Sequence, residues 1–122
     1  MQRATQLTVC LPNKPGMLAM MCRCLADARA NILAISVVDA SEACLVRVVP
    51  EDAKAAAKAL DAKGIHAVQT SVRLVELPNK VGALAEMAER LAQRKVNIDF
   101  AYGSAGPGRG KAVLVMEAHA AK

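Results

Sequence analysis

Two short stretches of the chain carry the residue types that could receive a small charged molecule. LPNKPG at residues 11–16 and LPNKVG at residues 77–82 each bring an asparagine, a lysine and a glycine to the point where one element ends and the next begins. An asparagine amide donates to a carboxylate and accepts from an ammonium, so it suits a zwitterion. Backbone N–H groups at a helix start, with the positive end of the helix dipole behind them, receive a carboxylate or phosphate. In this reading Asn13 and Asn79 cap the helix to come, while Gly16 and Gly82 keep a Cβ out of its first turn so that a ligand or a neighbouring backbone can approach. The competing reading is a plain capped strand-to-helix turn with no ligand.

Other chemistry is poorly supplied. Cys10, Cys22, Cys24 and Cys44 lie in apolar surroundings, and the single residue between Cys22 and Cys24 is not the spacing of a redox or zinc pair, so all four read as small buried hydrophobes. His66 and His119 each stand alone. No metal, cofactor or convergent catalytic cluster is expected, and the chain reads as a non-enzyme. GPGRGK at 106–111 resembles a phosphate loop in outline only, because Ala112 stands where a serine or threonine is needed and a strand follows where a helix is required. It reads as a hairpin tip.

The chain has 122 residues, 54% of them hydrophobic, enough core for one ordinary domain or two small ones. Its net charge of +5 is scattered along the sequence, a pattern that favours solubility over a defined anionic partner. Aromatic residues make up 2%, and the strands of the first half have none, so nucleic-acid binding rests on no more than a basic patch from Arg47, Arg109 and Lys111. No stretch approaches the roughly 20 apolar residues of a membrane span, and the N-terminus lacks an apolar signal region; the expectation is a cytoplasmic protein.

The twin turns belong to a longer repeat. Offset by 66, Leu11, Pro12, Asn13, Lys14 and Gly16 match Leu77, Pro78, Asn79, Lys80 and Gly82, and the match runs on through Leu18 and Leu84, Met21 and Met87, Leu25 and Leu91, to Asn31-Ile32 and Asn97-Ile98. One supersecondary unit is present twice. TQLTVCL and SVRLVEL alternate as strands ending at the turn, and Leu18, Met21 and Leu25, or Leu84, Met87 and Leu91, form an apolar helix stripe facing a core. NILAISVV with ACLVRVV, and NIDFAYG with AVLVMEA, read as hairpins. Glu51 and Asp52 open an alanine-rich helix that closes at Lys63-Gly64, and IHAVQT follows as a fourth strand running straight into the second copy.

The first copy, residues 1–71, is therefore βαββαβ, and the second, residues 72–122, is βαββ without the last helix and strand. Its sheet is expected to have an unpaired edge, for which a homodimer is the obvious cover.

An N-x-P-G-x-L turn after a first strand, a helix followed by a paired N-I, and the βαββαβ order resemble the ACT domain, an α+β ferredoxin-like module that binds amino acids. The resemblance covers the whole of copy one and the first three strands and first helix of copy two. It implies a tandem ACT protein with ligand held where the turn of one unit meets a neighbouring unit. It carries the ligand contacts onto Asn13, Lys14, Gly16, Met17, Leu18, Asn31 and Ile32, and onto Asn79, Lys80, Gly82, Ala83, Leu84, Asn97 and Ile98. Leu11 and Leu77 stand where serine-binding members have a histidine, which points to a more apolar amino acid, and Val81 replaces the usual proline. The resemblance also implies a regulatory role toward a separately encoded enzyme; a ligand-free interaction subunit is the alternative.

Overall fold

Residues 2–104 and 110–120 are described by a computed structural model. In chain order the elements are β1 (Gln2–Pro12), α1 (Met17–Asp27), β2 (Ile32–Ala40), β3 (Ala43–Pro50), α2 (Ala53–Ala62), β4 (Val68–Pro78), α3 (Ala83–Gln93), β5 (Val96–Ser104) and β6 (Lys111–Ala120). This is the expected α+β order, and the fourth strand of copy one and the first strand of copy two are one element, β4. No helix among the described residues is long and apolar enough to cross a membrane. Two compact units are distinguished: Thr5–Thr70, and Ser71–Lys122 together with Met1–Ala4.

In the first unit the strand order is β2-β3-β1, with the opening of β4 beyond β1. Period-two alternation on β1 sends Leu7, Val9 and Leu11 to one face, and the antiparallel register sets them opposite Val48, Val46 and Cys44 of β3. Two helices cover that face. α1 contributes Met21 and Leu25, and α2 contributes Ala56 and Leu60, all four without exposed surface. Burying each of the larger side chains stabilises the unit by about 1.5–3 kcal/mol. α2 begins as its acids suggest: the Asp52 carboxylate accepts the Ala55 N–H at 3.0 Å.

The helix stripe differs from the expected one. Leu18 is 37% exposed, and Met17 and Cys24 pack beside Met21 and Leu25 instead. In the second unit Leu84 is likewise exposed, while Ala83, Met87 and Leu91 are buried. A helix turns 100° per residue, so residues i+4 and i+8 from Met17 and Ala83 share their face and the intervening leucines rotate toward solvent. The cysteines also divide: Cys44 is buried, Cys22 and Cys24 half-buried, and Cys10 exposed, contrary to the expectation of four buried hydrophobes.

In the second unit the order is β5-β6-β4, with the opening of β1 beyond β4. Val75, Met87, Leu91 and Met116 form its core. As expected, the second unit has no second helix among the described residues, but the expected open edge is not found. β4 has β6 on one side and β1 on the other, and residues Met1–Ala4 count with this unit. The edge of β4 that was expected to be open is thus paired within the sheet.

The revised stripe makes a direct test. Met21→Ala is expected to cost about 2–5 kcal/mol in urea unfolding, whereas Leu18→Ala should cost less than about 1 kcal/mol; equal losses would restore the Leu18 stripe.

Candidate functional site

Both turns are built identically. The N-cap residue of α1 is Gly16 at φ 89°, and that of α3 is Gly82 at φ 88°. That left-handed backbone is what requires glycine; a Cβ at either position would meet nothing within 4 Å, so the reason is conformation and not space. Neither helix start has a side-chain cap. The Asn13 amide therefore does not act as the helix cap anticipated from its position; its bonds run to the hairpin. The Lys14 carbonyl accepts from Met17 and the Gly16 carbonyl from Met20, with the same pattern from Lys80 to Ala83 and from Gly82 to Glu86. The amides between, of Leu18 and Ala19 and of Leu84 and Ala85, are the ones left to an outside acceptor.

Each turn is moored to the hairpin of its own unit. The Asn13 N–H donates to the Glu42 carbonyl at 2.9 Å, and the Asn79 N–H to the Gly110 carbonyl at 2.8 Å. The Asn13 side-chain amide adds bonds to Asp39 Oδ1 at 2.8 Å and to the Ser41 carbonyl at 3.2 Å. Asn13 thus stands at the hairpin end of β2, whereas Asn31 precedes its other end and donates to Glu51 Oε1 at 3.1 Å. Nine strand residues at about 3.3 Å each keep the two apart within the unit. Asn97 is similarly remote from Asn79 along β5 and donates to Asp99 Oδ1 at 3.0 Å. Ile32 and Ile98 pack against the cores of their units.

At the second turn the structure opens a cleft of about 230 Å³. Leu77, Asn79 and Lys80 form one side, Ala83 and Leu84 at the start of α3 another, and Gly103, Ser104, Ala112 and Leu114 of the hairpin the floor and far wall. Gly103 is fitted closely to its neighbour: a Cβ there would run into the Val113 carbonyl oxygen, with the Leu114 Cα 3.0 Å away. The floor residues escaped the sequence reading, although a glycine inside a strand pattern is the usual mark of close backbone approach. Of the basic patch, Lys111 pairs with Glu76 at 3.2 Å, and Arg109 lies outside the described residues, as does most of the GPGRGK stretch.

The ACT domain pair family matches residues 2–122. The chain belongs to that family. Protein BT0572 from Bacteroides thetaiotaomicron is 28% identical with a TM-score of 0.88, over 95% of this chain and 79% of that one. The regulatory subunit of aspartate kinase from Thermus thermophilus aligns at 17% identity and TM-score 0.69, covering 93% and 82% of the two chains. Its counterpart from Thermus flavus aligns at 20% and 0.67, covering 95% and 83%. These last two bear on the fold alone. No curated protein is significantly similar.

In this ACT domain pair one expected ligand contact, Asn97, belongs to a small polar cluster. Asp99 accepts from Asn97 and lies 2.8 Å from His119 Nδ1, on neighbouring strands β5 and β6. The His119 hydrogen bond holds the Asp99 carboxyl below its ordinary value; desolvation works against it, and the Asn97 hydrogen bond adds to the lowering. A depressed carboxyl stabilises the fold above its unfolded value, and that contribution is lost as pH falls through the folded one. His119→Gln is therefore expected to raise the Asp99 value in an NMR titration; an unchanged midpoint would show that His119 does not set it.

Gly82→Val and Gly16→Val should each distort the helix start, because β-branched residues avoid positive φ, at a cost of about 1–3 kcal/mol. Gly82→Asn, which tolerates that backbone better, should cost less in the same thermal-unfolding comparison.

Proposed function

We propose that this ACT domain pair is a regulatory module without catalysis of its own, which binds a free amino acid at its strand-to-helix turns and passes occupancy to a separately encoded enzyme. The single observation that carries this reading is the cleft at the second turn, where Lys80 and the uncapped start of α3 meet an apolar floor. A carboxylate suits the helix start and the lysine, and an apolar side chain suits Leu77, Leu84 and Leu114. The cleft falls below the roughly 300 Å³ at which pockets for larger ligands begin, so a metabolite of amino-acid size matches it better than a nucleotide. Lys14, Gly16, Met17 and Leu18 are the corresponding groups of the first turn. Two solved relatives of the same fold are named as regulatory subunits of aspartate kinase, which lends the regulatory half of the proposal its support by analogy.

A second reading, an interaction module that binds no small molecule, is favoured by one feature. Leu33, Ile35, Val37 and Val38 on β2 are each 42–47% exposed, an apolar strand suited to a protein surface, a second copy of the chain included.

A thermal-shift screen against the twenty amino acids at millimolar concentration separates the two. A ligand that binds only the folded protein stabilises it by about 2.7 kcal/mol at a hundredfold excess over Kd, so one stereospecific upward shift is expected. Gly82→Val should weaken it. A flat panel would leave the interaction reading in place.

A further inference from the structure

The two turns match in sequence and backbone, yet the registers around them place different side chains at the cleft. Leu11 pairs with Cys44 on β3 and Leu77 with Ala112 on β6, so Cys44 and Ala112 are equivalent. Two pairs further along the strands, on the same face, Val46 and Leu114 occupy equivalent places, opposite Val9 and Val75. Val37 faces Val46 on β2, and Gly103 faces Leu114 on β5. At the head of each helix, directly after the left-handed glycine, stand Met17 and Ala83. Three positions of the second turn thus carry Ala, Gly and Ala where the first carries Met, Val and Cys. Met17 packs on the first core and Cys44 is buried there, whereas Val37 is 47% exposed, so the filling of the first corner rests on Met17 and Cys44.

Electrostatics point the same way. At the first turn both observed side-chain bonds of the Asn13 amide are spent within the protein, and one acceptor is the carboxylate of Asp39. An anion held at this turn disfavours an incoming carboxylate, because like charges at short range repel. Among the described residues no Asp or Glu lines the second cleft, and Lys80 does.

We infer that the two turns are unequal: the second accepts one small carboxylate with a short apolar side chain per chain, and the first is a closed copy that serves the fold. This rests on the amino-acid reading and narrows it to one site, with Ala83, Gly103 and Ala112 as the residues that set the ligand's size.

The test is isothermal titration of the full chain with each of L-alanine, L-valine, L-leucine, L-methionine and L-phenylalanine, with amide chemical shifts recorded in parallel. The expected result is one site per chain for an aliphatic member of the set, with shifts concentrated at residues 77–85 and 112–114. Ala83→Met should weaken binding about tenfold or more by filling the cleft, and exposed Lys80→Ala, which leaves packing intact, should weaken it as well. The double variant Met17→Ala, Val37→Gly should gain affinity at the first turn. Two equal sites in the parent protein, or shifts centred on residues 11–19, would overturn the inequality while leaving the amino-acid reading standing. No binding by any of the five would overturn the inference itself, and if the remaining fifteen amino acids also fail, the ligand reading falls with it.

Discussion

The left-handed glycine between strand and helix is the constraint on which both units depend. At φ near +90° the chain reverses from the end of β1 or β4 into a helix within four residues, and no side chain is left in position to cap that helix. An N-terminal cap is ordinarily worth about 1 kcal/mol. Its absence is offset by a mooring from the other direction, the backbone bond from Asn13 to Glu42 and from Asn79 to Gly110. The turn is thereby held to the hairpin, while the amides at the helix start stay unspent. An arrangement that satisfies the turn's own backbone and leaves the first helical turn unsatisfied is what a ligand-accepting corner needs.

That corner is placed by the core beneath it. Leu11 and Leu77 end their strands on the helix-covered face, and Met21 with Leu25, or Met87 with Leu91, fix the helix over them. Because these side chains set the helix rotation, Leu18 and Leu84 are turned outward, and Leu84 becomes a wall of the cleft in place of a core residue. The stripe was misread by one position for a definite reason: Leu18, Met21 and Leu25 satisfy an i, i+3, i+7 spacing as well as Met17, Met21 and Cys24 satisfy i, i+4, i+7. Leucine at 18 outweighs methionine at 17 in hydrophobicity alone, and only the packing of the neighbouring strands decides between them.

Much of the fold was legible because it is written locally and written twice. Turn residues, apolar alternation and the acids before α2 each act within a few positions, and the 66-residue offset repeats them, so element order followed from the chain. Non-local pairing was not legible. That residues Met1–Ala4 join the second unit depends on which strand lies beyond β4, and no local pattern encodes it. The cleft floor was hidden for a related reason. At the plain repeat offset Ala112 would fall opposite Val46, but the second hairpin is longer by two residues, and only the register brings Ala112 level with Cys44.

Duplication followed by divergence accounts for both the likeness and the difference. The left-handed glycine of the turn is the same in both copies because the backbone path demands it whether or not a ligand is present. Residues that merely fill space near the turn are free to change: Met17, Val37 and Cys44 give way to the smaller Ala83, Gly103 and Ala112 in the second copy, while Val46 gives way to the larger Leu114. A close-packed interior does not tolerate such losses without a void, and voids of this size cost stability unless something else occupies them. In the second copy the three smaller side chains fall at one corner, beside a lysine and an uncapped helix. The shape of that loss, more than the motif itself, is the argument that the second turn is kept for a ligand.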